Sequence, residues 1–109
     1  MKQYKVLLSA SAQASLDQIV EYLTEHKSYG AALELERKLL EAIQSLKTFP
    51  EGYGELKVRR KKSRHPYRFL SKANYKIIYT VEEEPDALVI VIELVHDSRS
   101  MATVNELLP

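Results

Sequence analysis

The sequence predicts an α+β fold with element order β-α-α-β-β-β, a helical hairpin packed on a mainly antiparallel sheet. Three observations carry that prediction. Apolar residues alternate at the start of the chain, recur at helical spacing through its first half, and alternate again through its second half, where Val, Ile and Tyr concentrate. With 109 residues, 45% hydrophobic and 28% charged, the chain has the composition of one globular domain over residues 1–109. Domains run to roughly 100–200 residues, and disorder goes with a poorer apolar content.

Tyr4, Val6 and Leu8 hold alternate positions and predict a short first strand ending at Ser9. Ser9 or Ser11 then serves as a helix N-cap. Ala12, Leu16, Ile19, Val20 and Leu23 recur at helical spacing opposite Asp17, Glu21 and Glu25, which predicts an amphipathic helix over residues 10–27. Ser28-Tyr29-Gly30 interrupts the pattern, and Ala32, Leu35, Leu39, Ile43 and Leu46 resume it as a second helix. That helix stops at Phe49-Pro50, because proline restricts the residue before it. Two helices joined by a short break form a hairpin.

Glu51-Gly52-Tyr53-Gly54 is turn chemistry. Three strands follow, marked by Tyr67 and Phe69, by Tyr75, Ile77, Tyr79 and Val81, and by Leu88, Ile90, Ile92 and Leu94. Short polar links separate them, so the strands pair in order as an antiparallel meander. Val89 and Val91 make the last strand apolar on both faces, as expected of a central strand. The apolar tail residues Met101, Val104, Leu107 and Leu108 are expected to pack on their own sheet rather than on another subunit.

Composition also excludes chemistry. There is no Cys, and His26, His65 and His96 have no zinc spacing, so neither a disulfide nor a metal site is expected, and no cofactor. No Gly-rich phosphate loop, Ser nucleophile elbow or spaced carboxylate pair is present. The apolar stretch in MKQYKVLLSASA is too short for a secretory signal, and no run reaches the ~20 apolar residues of a membrane span. The chain is read as cytoplasmic, with no membrane partner.

A net charge of +1 conceals a local excess. Within Lys57–Arg68, seven side chains are basic (Lys57, Arg59, Arg60, Lys61, Lys62, Arg64, Arg68) and none is acidic. Such a run is either a solvated loop or the docking surface of a polyanion or acidic protein, which would relieve its self-repulsion. The second group is His96-Asp97-Ser98-Arg99, just beyond the last strand. Here His96 is a candidate acid or base and Arg99 a candidate phosphate ligand; alternatively Asp97 and Arg99 form a local ion pair that braces the strand end. Tyr75 and Tyr79 share a face with Ile77 and read as core, and His26 reads as a surface residue favourable to the helix dipole.

Taken in order, LSASAQASLDQIVEYL, LKTFPEGYGE, HPYRFLSKANYKIIYTV and HDSR resemble the ParE/RelE superfamily of bacterial type II toxins, and its ParE-like branch most closely. The most specific pieces are Tyr67-Arg68-Phe69-Leu70, Asn74-Tyr75-Lys76-Ile77-Ile78-Tyr79, and Asp97-x-Arg99 after a Val-rich strand. The resemblance implies a toxin neutralised by a cognate antitoxin whose acidic or amphipathic tail wraps it in a toxin–antitoxin hetero-oligomer. For ParE-like members it implies inhibition of DNA gyrase by protein–protein contact without covalent chemistry. Arg59, Arg60, Arg64, Arg68 and Arg99 would then form or border the partner surface. For RelE-like members it implies a ribosome-dependent endoribonuclease acting on mRNA, with Arg68, Lys76 and Arg99 holding phosphate and His96 as acid or base. A relic that binds only antitoxin is the third reading. No Tyr, Phe or Trp follows Tyr79, so the C-terminal aromatic of RelE-like members has no counterpart, which favours the ParE-like branch.

Overall fold

Each helix begins on a serine. In the computed structural model, which describes residues 2–57 and 65–109, α1 (Ala10–His26), α2 (Tyr29–Ser45) and α3 (Met101–Leu107) follow Ser9, Ser28 and Ser100. The serine oxygens accept the N–H of Ala12, Ala31 and Thr103 at 3.0, 3.0 and 3.1 Å. Each cap satisfies one otherwise orphaned donor and stabilises its helix by about 1 kcal/mol. Because Ser28 is a cap, α2 starts three residues before the apolar spacing suggests. Gly30 lies in its first turn, outside the helix interior where glycine is costly.

The sheet contains β1 (Lys5–Leu8), β2 (Arg68–Lys72), β3 (Tyr75–Glu82) and β4 (Leu88–His96), in spatial order β1-β4-β3-β2. The meander expected from the short links is present: β2, β3 and β4 are antiparallel in sequence order, while β1 joins β4 in parallel. The doubly apolar β4 is indeed an inner strand. A two-residue turn connects β2 to β3, with Ala73 and Asn74 both at positive φ (51° and 72°), the geometry that matches strand twist in tight hairpins.

Two apolar layers sit on opposite faces of the sheet. On one, Ala12 and Leu16 of α1 and Leu39 and Ile43 of α2 pack with Ile77, Tyr79, Val89 and Val91. On the other, Leu56, Tyr67, Val104 and Leu108 cover Ile78 and Val95. The tail therefore packs on its own sheet, and it does so as a helix. Burying a large aliphatic side chain contributes about 1.5–3 kcal/mol, so Val104 and Leu108 offset part of the entropy of ordering the tail. The Tyr67 hydroxyl donates to the Pro109 carbonyl oxygen at 2.8 Å and fastens its end. Among the described residues, no helix is long and apolar enough to cross a membrane.

Two irregularities position side chains. Ile78 pairs with Glu93 and Tyr79 with Val91, leaving Ile92 as an extra residue in β4. Such a bulge re-aims a side chain. Here it sends Glu93 toward the first turns of α1, where Ser11 Oγ donates to its carboxylate at 2.5 Å and Ser15 Oγ donates to the other oxygen. The Ser9 hydroxyl closes the same region by donating to the Ile92 carbonyl at 2.8 Å. Beside the bulge on β3, Tyr79 donates to the Pro50 carbonyl oxygen at 2.5 Å and braces the 3-10 turn Pro50–Gly52. The residue before this turn, Phe49, is left-handed at φ 57° and 67% exposed.

Candidate functional site

The end of β4 gathers three of the expected site residues. Tyr75 and His96 are directly paired at the mouth of the β3–β4 ladder, with their rings perpendicular and centroids 5.1 Å apart. His96 Nδ1 accepts the backbone N–H of Ser98 at 3.0 Å and is also contacted by Ser98 Oγ at 2.8 Å. A ring nitrogen that accepts an N–H carries no proton of its own, so the neutral imidazole is protonated at Nε2. This tautomer presents a donor, not a base, to its surroundings.

Asp97 pairs with Lys76 at 3.0 Å, not with Arg99. The local Asp97–Arg99 pair considered from spacing is replaced by a contact between strands. Lys76 also lies over the Phe69 ring at 5.9 Å. Among the described residues, the Arg99 guanidinium has no carboxylate within ion-pair distance, and its backbone N–H bonds to the His96 carbonyl at 3.0 Å.

Arg68 belongs to a different region. It pairs in register with Tyr79, four residues along β3 from Tyr75, a separation of roughly 13 Å at strand spacing. It points to the segment after the 3-10 turn, donating to the Tyr53 carbonyl at 2.7 Å and approaching Glu55 at 3.9 Å. Side chains alternate across a strand. Because Lys76 pairs with Ser71, three residues from Arg68 on β2, the two cations occupy opposite faces of the sheet. The fold thus does not bring Arg68, Lys76 and Arg99 together. The expected partner residues Arg59, Arg60 and Arg64 lie outside the described residues.

His96 and Arg99 do share a cleft of about 320 Å³ between α1, the end of β4 and α3. Tyr22, Tyr75, Leu107, Glu93 and Gln18 are among the other residues that line it. Tyr22 is 61% exposed and stacks on His26, with ring centroids 4.1 Å apart. His26 in turn donates from Nδ1 to the Tyr22 carbonyl at 2.9 Å. Burial holds the Tyr75 phenol above its ordinary pKa, and the neighbouring Tyr22 adds to the shift. The sequence reading missed Tyr22 and Glu93. Their signals were a Tyr-x-x-x-His spacing off the apolar stripe of α1 and a lone carboxylate within the apolar run of β4. Among the described residues, no group of three or more His, Cys, Asp or Glu side chains is arranged to hold a metal ion.

No curated protein matches this chain in sequence. Among solved structures, the chain is similar to the chromosomal ParDE toxin–antitoxin system of P. aeruginosa, with a TM-score of 0.69 at 15% identity, covering 88% of this chain and 98% of that one. It is also similar to the archaeal RelE–RelB complex of Pyrococcus horikoshii, with a TM-score of 0.57 at 19% identity over 92% of this chain and 100% of the other. The RelBE2 toxin–antitoxin complex of Mycobacterium tuberculosis gives 0.56 at 18% identity, over 91% and 97%. These likenesses establish the shared fold. The profile of the ParE toxin of type II toxin–antitoxin systems matches residues 6–101, so the hairpin, the His96–Arg99 end and all of the sheet but Lys5 fall within it, and the chain belongs to the ParE toxin family.

Proposed function

We propose that this toxin acts by protein–protein contact on DNA gyrase, without covalent chemistry, and is held inactive by a cognate antitoxin. The observation that carries the proposal is the state of His96. Its Nδ1 is occupied by the Ser98 N–H, so the ring offers no free lone pair in this arrangement, whereas cleavage at an RNA 2′-hydroxyl requires a base. The engagement of Lys76 by Asp97, and of Arg68 by Glu55 and the Tyr53 carbonyl, supports the same reading. The antitoxin partner is supported by the fold, since its structural neighbours are toxin–antitoxin complexes.

Purified protein added to a gyrase supercoiling reaction tests the target, with inducible expression in a bacterium as the second arm. The expected result is growth arrest, loss of supercoiling and intact transcripts, with His96→Ala retaining the inhibition. Cleaved transcripts with normal supercoiling would instead establish the ribonuclease reading, which the shared cleft of His96 and Arg99 keeps as the alternative. Normal growth with retained antitoxin binding would identify a relic.

A further inference from the structure

The cleft at the end of β4 has features that the packing of this chain does not require. Tyr22 is on α1 but outside its buried stripe, and its ring is fixed by stacking on His26 instead of by the core. Tyr75 is fixed by its edge contact with His96. Two aromatic walls held in place before any ligand arrives lose little conformational freedom on binding, which favours capture of an apolar side chain between them. Leu107, half-exposed at the end of α3, lies on the same cleft.

Charge points the same way. Lys76 has taken Asp97, so Arg99 brings its donors to the cleft without a carboxylate from the described chain. His96, with its proton on Nε2, adds a neutral donor. Glu93 is saturated: two serine hydroxyls and the Leu94 N–H at 3.1 Å bond to its carboxylate, which is 5% exposed. A neighbouring groove shares Tyr22, Tyr75 and His96 and continues past Lys27 and Lys38. Among the described residues neither lysine has a carboxylate within ion-pair distance, although Lys38 lies in the field of Glu34.

We infer that this cleft anchors the antitoxin through one apolar or aromatic side chain between Tyr22 and Tyr75 and an adjacent carboxylate on Arg99, the segment continuing along the groove toward Lys27 and Lys38. The inference rests on the reading of the chain as an antitoxin-bound toxin and names the site of that contact. A peptide fits better than a nucleic acid. Arg99, Lys27 and Lys38 would meet phosphates as readily as carboxylates, but Arg99 stands beside the apolar walls of Tyr22, Tyr75 and Leu107, which suit an apolar side chain next to a carboxylate. A carboxylate next to an apolar side chain is the ordinary pattern of an acidic amphipathic segment that folds on binding.

The test is titration of the toxin with the product of the adjacent open reading frame, using wild type, Arg99→Gln, Tyr22→Ser and, as a paired-surface control, Arg37→Gln. Circular dichroism melts confirm that each exposed-site variant folds. Arg99→Gln is expected to weaken binding roughly 30-fold or more and flatten its salt dependence, as for loss of a charge pair covered by an interface. Tyr22→Ser weakens binding roughly tenfold or more, and Arg37→Gln leaves it unchanged. Wild-type affinity retained in both cleft variants would overturn the anchor while leaving the toxin reading intact. Failure of the wild type to bind the neighbouring product would remove both. Binding of a single-stranded RNA oligonucleotide that disappears in Arg99→Gln, with antitoxin affinity unchanged, would overturn the peptide assignment.

Discussion

Lys76 donates to Asp97 Oδ1 at 3.0 Å across the β3–β4 ladder, and this contact leaves Arg99 without the carboxylate nearest to it in sequence. The pair is half-open to solvent, with side-chain exposures of 23% and 41%. Its main effect is the distribution of charge at the end of the sheet, since exposed ion pairs contribute little to stability.

That small contribution is measurable. A double-mutant cycle on Lys76→Met and Asp97→Asn, read by urea denaturation, is expected to give a coupling of about 0.2–1 kcal/mol that shrinks in high salt. A coupling of several kcal/mol would contradict the exposure of the pair.

Glu93 is a different case because its own carboxylate is buried, as is the Leu94 N–H it accepts, although Ser11 is exposed and Ser15 half-buried. Glu93→Ala strands the buried Leu94 N–H and leaves the two serine hydroxyls to water, at a cost of about 1–3 kcal/mol. Glu93→Gln keeps acceptor oxygen and shape and is expected to cost distinctly less, since serine hydroxyls rotate to accept from the new amide. Equal unfolding midpoints for the two variants would rule out the hydrogen-bonded role.

Tyr4 makes stability fall at alkaline pH. Its phenol is pushed from 10.0 up to about 12, first by its hydrogen bond to Glu83 and then by burial. A folded pKa above the unfolded one stabilises the fold fully below the unfolded value. That stabilisation disappears as pH rises from about 10 to about 12. The difference in urea midpoint between wild type and Tyr4→Phe is therefore expected to narrow across this window. The same contact acts with the opposite sign on Glu83, whose pKa is lowered by Tyr4 and then by Lys2. That contribution is lost on the acid side instead.

Phe49 offers a route to a more stable protein. A left-handed conformation costs an ordinary residue about 1–2 kcal/mol, and an exposed ring recovers little of it. Phe49→Asn, which tolerates this backbone, is expected to raise stability by up to about 1 kcal/mol, and Phe49→Val to lower it. Thermal melts of both variants decide the matter. A destabilised Phe49→Asn would mean that the ring supports the turn.

Much of the fold was legible because long periodic segments report the faces they bury. The stripe through Leu39, Ile43 and Leu46 identified α2, and Val89 with Val91 identified β4 as an inner strand. α3 was less legible, because seven residues hold too few turns for a periodicity to stand out; Ser100, a cap like Ser9, was its local signal. At the site, His96 and Arg99 were found from their types and position after a strand. The Lys76–Asp97 contact was not, because it depends on register between residues distant in sequence. The meeting of Tyr22 with Tyr75 likewise exists only after α1 packs on the sheet.

The surplus residue in β4 imposes a counting rule on evolution. Removing one position between Val91 and Leu94 would rejoin the ladder in simple alternation and turn the carboxylate away from the serines of α1. Adding one elsewhere in the strand would exchange the residues serving the two apolar layers. Across relatives of this chain, an acidic residue at this position, hydroxyl side chains one turn apart at the head of the first helix and the strand's extra length should be gained or lost as a set.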